Sequence, residues 1–226
     1  MKNKIKYIII GILTLGFFAC QDQTDIYDEF VKNFSDKNYP GKVLDPISYS
    51  GKNRIQLNVL TPGDPAVKEL RVFWNFFTDS VSVPITETNK QMEILLNNMP
   101  ENSYSFVVKT YDGAGNISVP VEVFGTSYGI DYEKIITNRD LIDVTIDDIT
   151  GKLTLEFGDA DISNGAIETL ISYTNSSDIE KTVTITVDED SIIITDYKSG
   201  GQFYTVFLPD ATSIDTFSTS FDNIFK

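Results

Sequence analysis

Carboxylates are the only abundant reactive groups in this chain: it has 33 Asp and Glu, no histidine and one cysteine, Cys20. Without imidazole there is no Ser-His-Asp or Cys-His relay and no His-containing metal site. A catalyst built from what remains would be a carboxylate pair of the kind that hydrolyses glycosidic bonds. No spacing among the acids selects such a pair. The expectation is therefore a protein that is not an enzyme, with no cofactor and no metal. Asp159-Ala160-Asp161-Ile162-Ser163-Asn164-Gly165 begins like a calcium loop, which needs Gly at position 6 and a bidentate Glu at position 12. Asn164 and Leu170 stand there, so an Asx-rich turn explains the segment better. Asp143, Asp147 and Asp148 read as solvated strand-end charges.

Aromatic rings are the other groups with which recognition could be built. Trp74, the only tryptophan, is in phase with Leu70 and Val72 and reads as core packing; the functional alternative is a platform for stacking a sugar. Phe73 lies out of phase with that set, as do Val107 and Tyr111 on a later strand, and Phe76 and Phe77 follow at a turn. These five residues form the candidate interaction patch. Phe73, Val107 and Tyr111 are expected together on the outer face of one sheet, because strand side chains alternate faces. Three partners for the patch stay open: the chain's own second domain, a neighbouring protein, or a glycan.

The elements that must position these rings are strands. From Tyr39 onward, short alternating segments are separated by Gly, Pro, Asn and Asp. Ile55, Leu57 and Val59 alternate, then Leu70, Val72 and Trp74, then Met92, Ile94 and Leu96, then Tyr104, Phe106 and Val108, then Val119, Val121 and Val123. No segment carries a helical stripe over three turns. A second set follows: Leu153 to Phe157, Ile167 to Tyr173, Val183 to Val187, Ile192 to Thr195 and Phe203 to Phe207. The pattern predicts an all-β chain of two tandem antiparallel sandwiches, at 39–127 and 140–226. Between them 128–139 is too apolar for a free linker (Tyr128, Ile130, Tyr132, Ile135), which predicts a packed connector and a fixed interdomain angle.

The N-terminus reads as a targeting segment. Lys2, Lys4 and Lys6 precede an apolar run from Tyr7 to Ala19, too short for a transmembrane helix and of signal-peptide length. Ala19-Cys20 at its end resembles the lipobox of bacterial lipoproteins, with Phe17 in place of the usual Leu. The resemblance implies a signal peptide over 1–19, a lipid on Cys20 and an acidic tether over 20–38. Losing the three leader lysines makes the net charge of −15 three units more negative. Such a surface repels nucleic acid and anionic headgroups, so no nucleic-acid partner is expected and membrane attachment falls to the lipid.

Met99-Pro100-Glu101-Asn102-Ser103-Tyr104-Ser105-Phe106-Val107-Val108, closing in Asp112-Gly113-Ala114-Gly115-Asn116, resembles the E–F corner and F strand of fibronectin type III domains. The resemblance implies a buried Tyr104 whose hydroxyl bonds back across the corner. In the second unit Asp196-Tyr197 to Phe203 takes that corner's place. Tyr39-Pro40-Gly41-Lys42-Val43, Gly51-Lys52-Asn53-Arg54, Tyr128-Gly129 with Tyr132, Asn138-Arg139, Asp196-Tyr197-Lys198, and Leu208-Pro209 with Ile214-Asp215-Thr216-Phe217 occur in this order. Together they resemble a surface-lipoprotein family of Bacteroidota defined as a domain of unknown function. Its members accompany outer-membrane glycan-uptake systems of the starch-utilisation type. This implies a non-catalytic accessory protein on the outer membrane, facing the exterior, that binds glycan or docks to proteins of an uptake complex. The alternative is a structural spacer or adhesion module without a small ligand.

Overall fold

The computed structural model describes residues 38–147 and 149–225. The chain is all-β. Its first unit carries β1 (Leu44–Lys52), β2 (Arg54–Leu60), β3 (Val67–Trp74), β4 (Asp79–Pro84), β5 (Gln91–Asn97), β6 (Asn102–Asp112) and β7 (Val121–Tyr128). They run in the order β4-β3-β6-β7-β1-β2-β5. β2 and β5 pair antiparallel with β1 and β2 respectively, while β3, β6 and β7 form the opposing layer. The two layers touch along one seam, where β1 meets β7 in parallel at Gly51–Ser127 and Lys52–Tyr128. This order is that of a fibronectin type III-like sandwich. Ile55, Leu57, Val59, Leu70, Val72, Phe106 and Val108 are fully buried between the layers, each from an alternate position of its strand. Trp74 is half-buried at the rim of this core, its ring 6.3 Å edge-on from Phe106. Val119 precedes β7 and is exposed; Pro120 delays the strand because it has no N–H for the ladder.

The corner forms as its residues dictate. The Tyr104 hydroxyl donates to the Pro100 carbonyl at 2.8 Å and the ring is buried. Tyr104→Phe should cost about 1 kcal/mol, the net worth of one such bond, read as a shift in the urea midpoint at unchanged slope. No shift would mean the hydroxyl is satisfied equally well by water.

The second unit carries β8 (Leu141–Asp147), β9 (Lys152–Phe157), β10 (Ala166–Asn175), β11 (Glu180–Thr186), β12 (Ser191–Ile194), β13 (Tyr197–Phe207), β14 (Phe217–Ser218) and β15 (Asp222–Asn223). A layer β12-β9-β8 faces a layer β11-β10-β13, to which β14 and β15 attach. Leu153, Leu155, Phe157, Ile171, Tyr173, Ile185, Ile194 and Phe203 make its core. There is no tyrosine corner here. The Tyr197 hydroxyl reaches forward to the Gly200 carbonyl at 2.9 Å, and the Tyr173 hydroxyl ties β10 to Asp196 at 2.7 Å. Two consecutive positive-φ glycines, Gly200 and Gly201, bend the strand start where the first unit uses its proline.

The connector is a short helix, α1 (Ile130–Ile135), six residues without a strong stripe in the sequence. Tyr132 and Ile136, four apart and thus on one face, are buried; Ile130 and Ile135 are exposed, against the expectation that they pack. Glu101 of the first unit accepts the N–H groups of Asp131 and Tyr132 at 2.6 and 2.8 Å. The buried face joins Ala166, Phe207 and Phe217 in a third small core, with ring centroids of Tyr132 4.9 Å from Phe217 and 5.2 Å from Tyr128.

A polar clamp completes the junction. After β13 the chain folds back onto the first unit: Ile214 N–H donates to the Ser50 carbonyl at 2.7 Å. Asp215 accepts the Lys52 N–H at 2.8 Å and pairs in bidentate fashion with Arg54. Asp210 accepts from the Ser50 hydroxyl at 2.8 Å and from Tyr128 at 3.1 Å. These contacts join the two sandwiches across the junction. Arg54 holds the Asp215 carboxyl below the usual carboxylate range, chiefly through its hydrogen bonds. Burial pushes the Asp210 carboxyl up, but donors from Thr212, Ser50 and Tyr128 outweigh it and leave it low. Burial, then Asp210, pushes Tyr128 up to about 12. Both acids bind the clamp in charged form with folded pKa values below the ordinary 3.8. Their contribution is therefore complete above that value and is lost as pH falls through the lowered ones. Tyr128 binds as the neutral phenol, so its contribution is lost as pH rises from 10.0 toward about 12. Scattering should show constant dimensions from about pH 4 to about pH 10, and expansion as the pH falls well below that window or rises toward about 12. Asp215→Ala should remove about 2 kcal/mol of interdomain coupling and leave each sandwich folded. Unchanged dimensions in the Asp215→Ala variant would show that the aromatic core alone sets the angle.

Candidate functional site

The outer face of β3 and β6 is read off the ladder. Phe73 pairs with Val107, Arg71 with Lys109, and Glu69 with Tyr111, and all six lie opposite the buried set Leu70, Val72, Phe106 and Val108. Phe73, Val107 and Tyr111 thus share one face, but not one patch. Tyr111 stands four residues from Val107, about 13 Å along the strand, with the Arg71–Lys109 rung between. It is half-buried under the Arg71 guanidinium, 4.7 Å from its ring centre. Arg71 in turn pairs with Glu69, whose carboxyl is held low by Arg71 and then by Ser82. This end of the face is a closed polar network. The sequence period places a residue on a face but does not say which rung it occupies, so Tyr111 shares the face of Phe73 and Val107 without the contiguity expected of it.

The other end is aromatic. Phe73 and Phe77 lie 5.3 Å apart between ring centres, with Lys109 Nζ 5.0 Å above Phe77 and 5.8 Å above Phe73. Between β3 and β4 the turn places Asn75, Phe76 and Phe77 in succession at φ 48°, 55° and 66°. Left-handed backbone is unusual for any residue with a Cβ and is an outlier for a bulky ring. Local bonds hold it: the Asn75 carbonyl accepts the Thr78 N–H at 3.1 Å and its hydroxyl at 2.7 Å, and Asn75 Nδ2 donates to Asp79 at 2.6 Å. The result is a Phe76 side chain 99% exposed beside a Phe77 that is 54% exposed. Beneath them lies a cleft of about 360 Å³, lined by Phe73 and Phe77 and by Asn102, Ser103, Ser105 and Val107 of β6. Neither the strain nor the cleft was visible in the sequence, where Phe76-Phe77 carried no turn signal of the Gly or Pro kind.

Among the described residues, no residue of the second sandwich lines this cleft, and Phe76 and Phe77 are exposed. The interdomain bonds run through Ser50, Lys52, Arg54, Glu101 and Tyr128, at the seam described above.

Elsewhere the acids have structural employment. Asp161 closes a 3-10 turn at Ile162–Asn164: its carboxylate accepts from the Asn164 N–H at 3.2 Å, from Asn164 Nδ2 and from Ser163 Oγ at 2.6 Å. Those donors hold its pKa low, and the Asx reading of this segment stands. Among the described residues no three metal-ligating side chains gather. Asp143 bonds Thr145, and Asp147 caps the Ile149–Thr150 turn; Asp148 and Cys20 lie outside the described residues. No helix among the described residues is long and apolar enough to cross a membrane.

Among solved structures the chain is similar to the FN1–FN3 domains of chicken CNTN1, at 11% identity and a TM-score of 0.43, with 83% of this chain and 65% of that one covered. It is also similar to a two-domain fibronectin type III segment of chicken tenascin, at 12% identity and a TM-score of 0.27, with 83% of this chain and 99% of that one covered. The chain thus spans just under two thirds of the CNTN1 fragment. It matches no curated protein. Most of the residues that carry the family resemblance meet at the junction: the Gly51–Arg54 turn, Tyr128, Tyr132 and Ile214–Phe217. A family profile matches residues 20–217, and the chain belongs to that family, DUF4998, a domain of unknown function.

Proposed function

We propose that this chain is a non-catalytic glycan-capturing module of the cell surface, tethered to the outer membrane by a lipid on Cys20 and working beside an uptake complex. The observation that carries the reading is the Phe76–Phe77 turn. A strained backbone persists where the surrounding structure fixes it, and it marks function more often than chance. Here it displays a ring with both faces free above a cleft edged with amide and hydroxyl groups. The C–H face of a pyranose packs on the electron-rich face of an aromatic ring, while Asn102, Ser103 and Ser105 offer partners for sugar hydroxyls. Few polar groups placed around an apolar platform are the usual make-up of a small-ligand site. Phe76 and Phe77 in left-handed conformation also set up a test with opposite signs. Phe76→Gly with Phe77→Gly relieves backbone strain, so the melting temperature should hold or rise. On a glycan array the same variant should lose about tenfold or more in affinity, roughly 1.4 kcal/mol. A fall in melting temperature would identify the rings as core, and an array on which the parent chain binds nothing would sink the glycan reading in favour of a protein partner or a spacer. Cys20→Ala should leave the membrane fraction; if it stays, the lipid is elsewhere.

A further inference from the structure

The two sandwiches close the same seam differently. In the first, β1 and β7 pair in parallel and join the layers. In the second, the strand that would do this is cut into β14 and β15, two residues each, and both pair only with β13. The outer edge of β8 has no strand partner among the described residues. Between β8 and β15 a cleft of about 720 Å³ opens, with residues 138–144 on one wall and Phe203 and Asp222–Phe225 on the other. Ile142 stands 66% exposed on this edge, and Phe225 is also exposed.

We propose that this open seam is a docking site for an extended strand of a partner protein, carrying Lys or Arg at alternate positions, which pairs with β8 and occupies the place of the missing half-strand. An unpaired strand edge presents N–H and C=O groups at the spacing an added strand requires. The floor of the cleft is apolar, Phe203 and Ile224, and suits the inward side chains of such a strand. Its rim is acidic: Asp140, Asp143 and Asp222 face it, while among the described residues the one cation in its wall, Arg139, is buried and already bonded. A second copy of this chain is a poor occupant, because antiparallel β8 edges would bring Asp140, Asp143 and Asp147 of each against those of the other, and like charges opposite one another are repulsive.

The probe is a capped peptide alternating lysine and valine over seven residues, with lysine at both ends, added to the full-length chain in detergent at about 0.15 M salt, where exposed charges are screened beyond about 8 Å. Its control carries the same lysines with proline in place of the central valine, which keeps the charge and removes strand pairing. With the probe in roughly tenfold excess over its Kd, amide exchange across 141–147 should slow about tenfold, and the control should leave it unchanged. Asp143→Lys, at an exposed position, should abolish the protection without lowering the melting temperature. Equal protection by both peptides would reduce the effect to charge and overturn the proposal, as would protection elsewhere or none. Protection that grows with protein concentration in the absence of peptide would assign the seam to a second copy and likewise overturn it.

Discussion

Replacing Gly165 by Ala should destabilise the second sandwich by about 3–4 kcal/mol. Gly165 sits at φ +91° and terminates the 3-10 turn, its N–H bonded to the Ile162 carbonyl at 3.1 Å. An added Cβ would stand 2.1 Å from the Leu208 carbonyl oxygen and 2.9 Å from its carbon. That neighbour is backbone, and it is anchored: Leu208 N–H donates to the Gly165 carbonyl at 2.8 Å, and the next pair along the ladder joins Ala166 to the fully buried Phe207. Relief requires opening the end of the β10–β13 ladder and the core under the junction. Steric overlap therefore adds to the 1–2 kcal/mol or so of left-handed backbone strain. Gly113→Ala is the control, since nothing lies within 4 Å of its added methyl, and it should stay within about 0.5 kcal/mol of the parent. Urea unfolding of the two variants decides the matter; a Gly165→Ala midpoint equal to that of Gly113→Ala would show that the turn can re-form without its left-handed residue.

Arg139→Ala should cost nearly as much, about 3 kcal/mol. The side chain is 1% exposed while its acidic partner Asp190 is 81% exposed, so the ion pair itself is screened by solvent and worth little. What the guanidinium does is bridge strand ends: Nε donates to the Gly158 carbonyl, Nη1 to the Thr186 carbonyl at 3.2 Å and Nη2 to Asp190 at 3.2 Å, with Phe157 5.8 Å from its centre. Truncation removes the Arg139 donor from the Gly158 carbonyl, leaves the Thr186 carbonyl with the longer Glu189 N–H bond of 3.3 Å, and opens a void the size of the side chain. Asp190→Ala should lose less than about 1 kcal/mol. Arg139→Lys should fall between, because one ammonium cannot reproduce the planar fork. Equal losses for Asp190→Ala and Arg139→Ala in thermal melts would reverse this apportionment and place the stability in the charge pair.

The strands that alternate cleanly were legible because burial on one face imposes a period of two. Ile55-Leu57-Val59 and Tyr104-Phe106-Val108 lie in the core in the phase their spacing predicts, and the Met99-Pro100 to Tyr104 corner could be placed to the atom. The turn at Asp161 was equally legible, since a carboxylate followed by Ser and Asn has local donors to satisfy. α1 was not. Six residues are too few for a 3.6 period to stand out from the alternation around them, and its helicity is imposed by Glu101, thirty residues upstream, together with the pocket that takes Tyr132. Likewise Ile130 and Ile135 read as apolar connector residues but face solvent, because the short helix has only one buried stripe.

For this chain, local periodicity and turn chemistry by themselves determined two all-β sandwiches, their core residues and the packed character of what joins them. The tertiary structure alone decided the rest: that Gly51–Arg54 meets Ile214–Phe217, that Tyr111 is cut off from Phe73 by a rung of cations, that Phe76 is held left-handed, and that the second seam stays open. Each of those is a relation between residues distant in sequence, set by strand register, layer pairing and the competition of backbone groups for partners. A pattern of period two records only which side of a strand faces the core, and so carries none of that information.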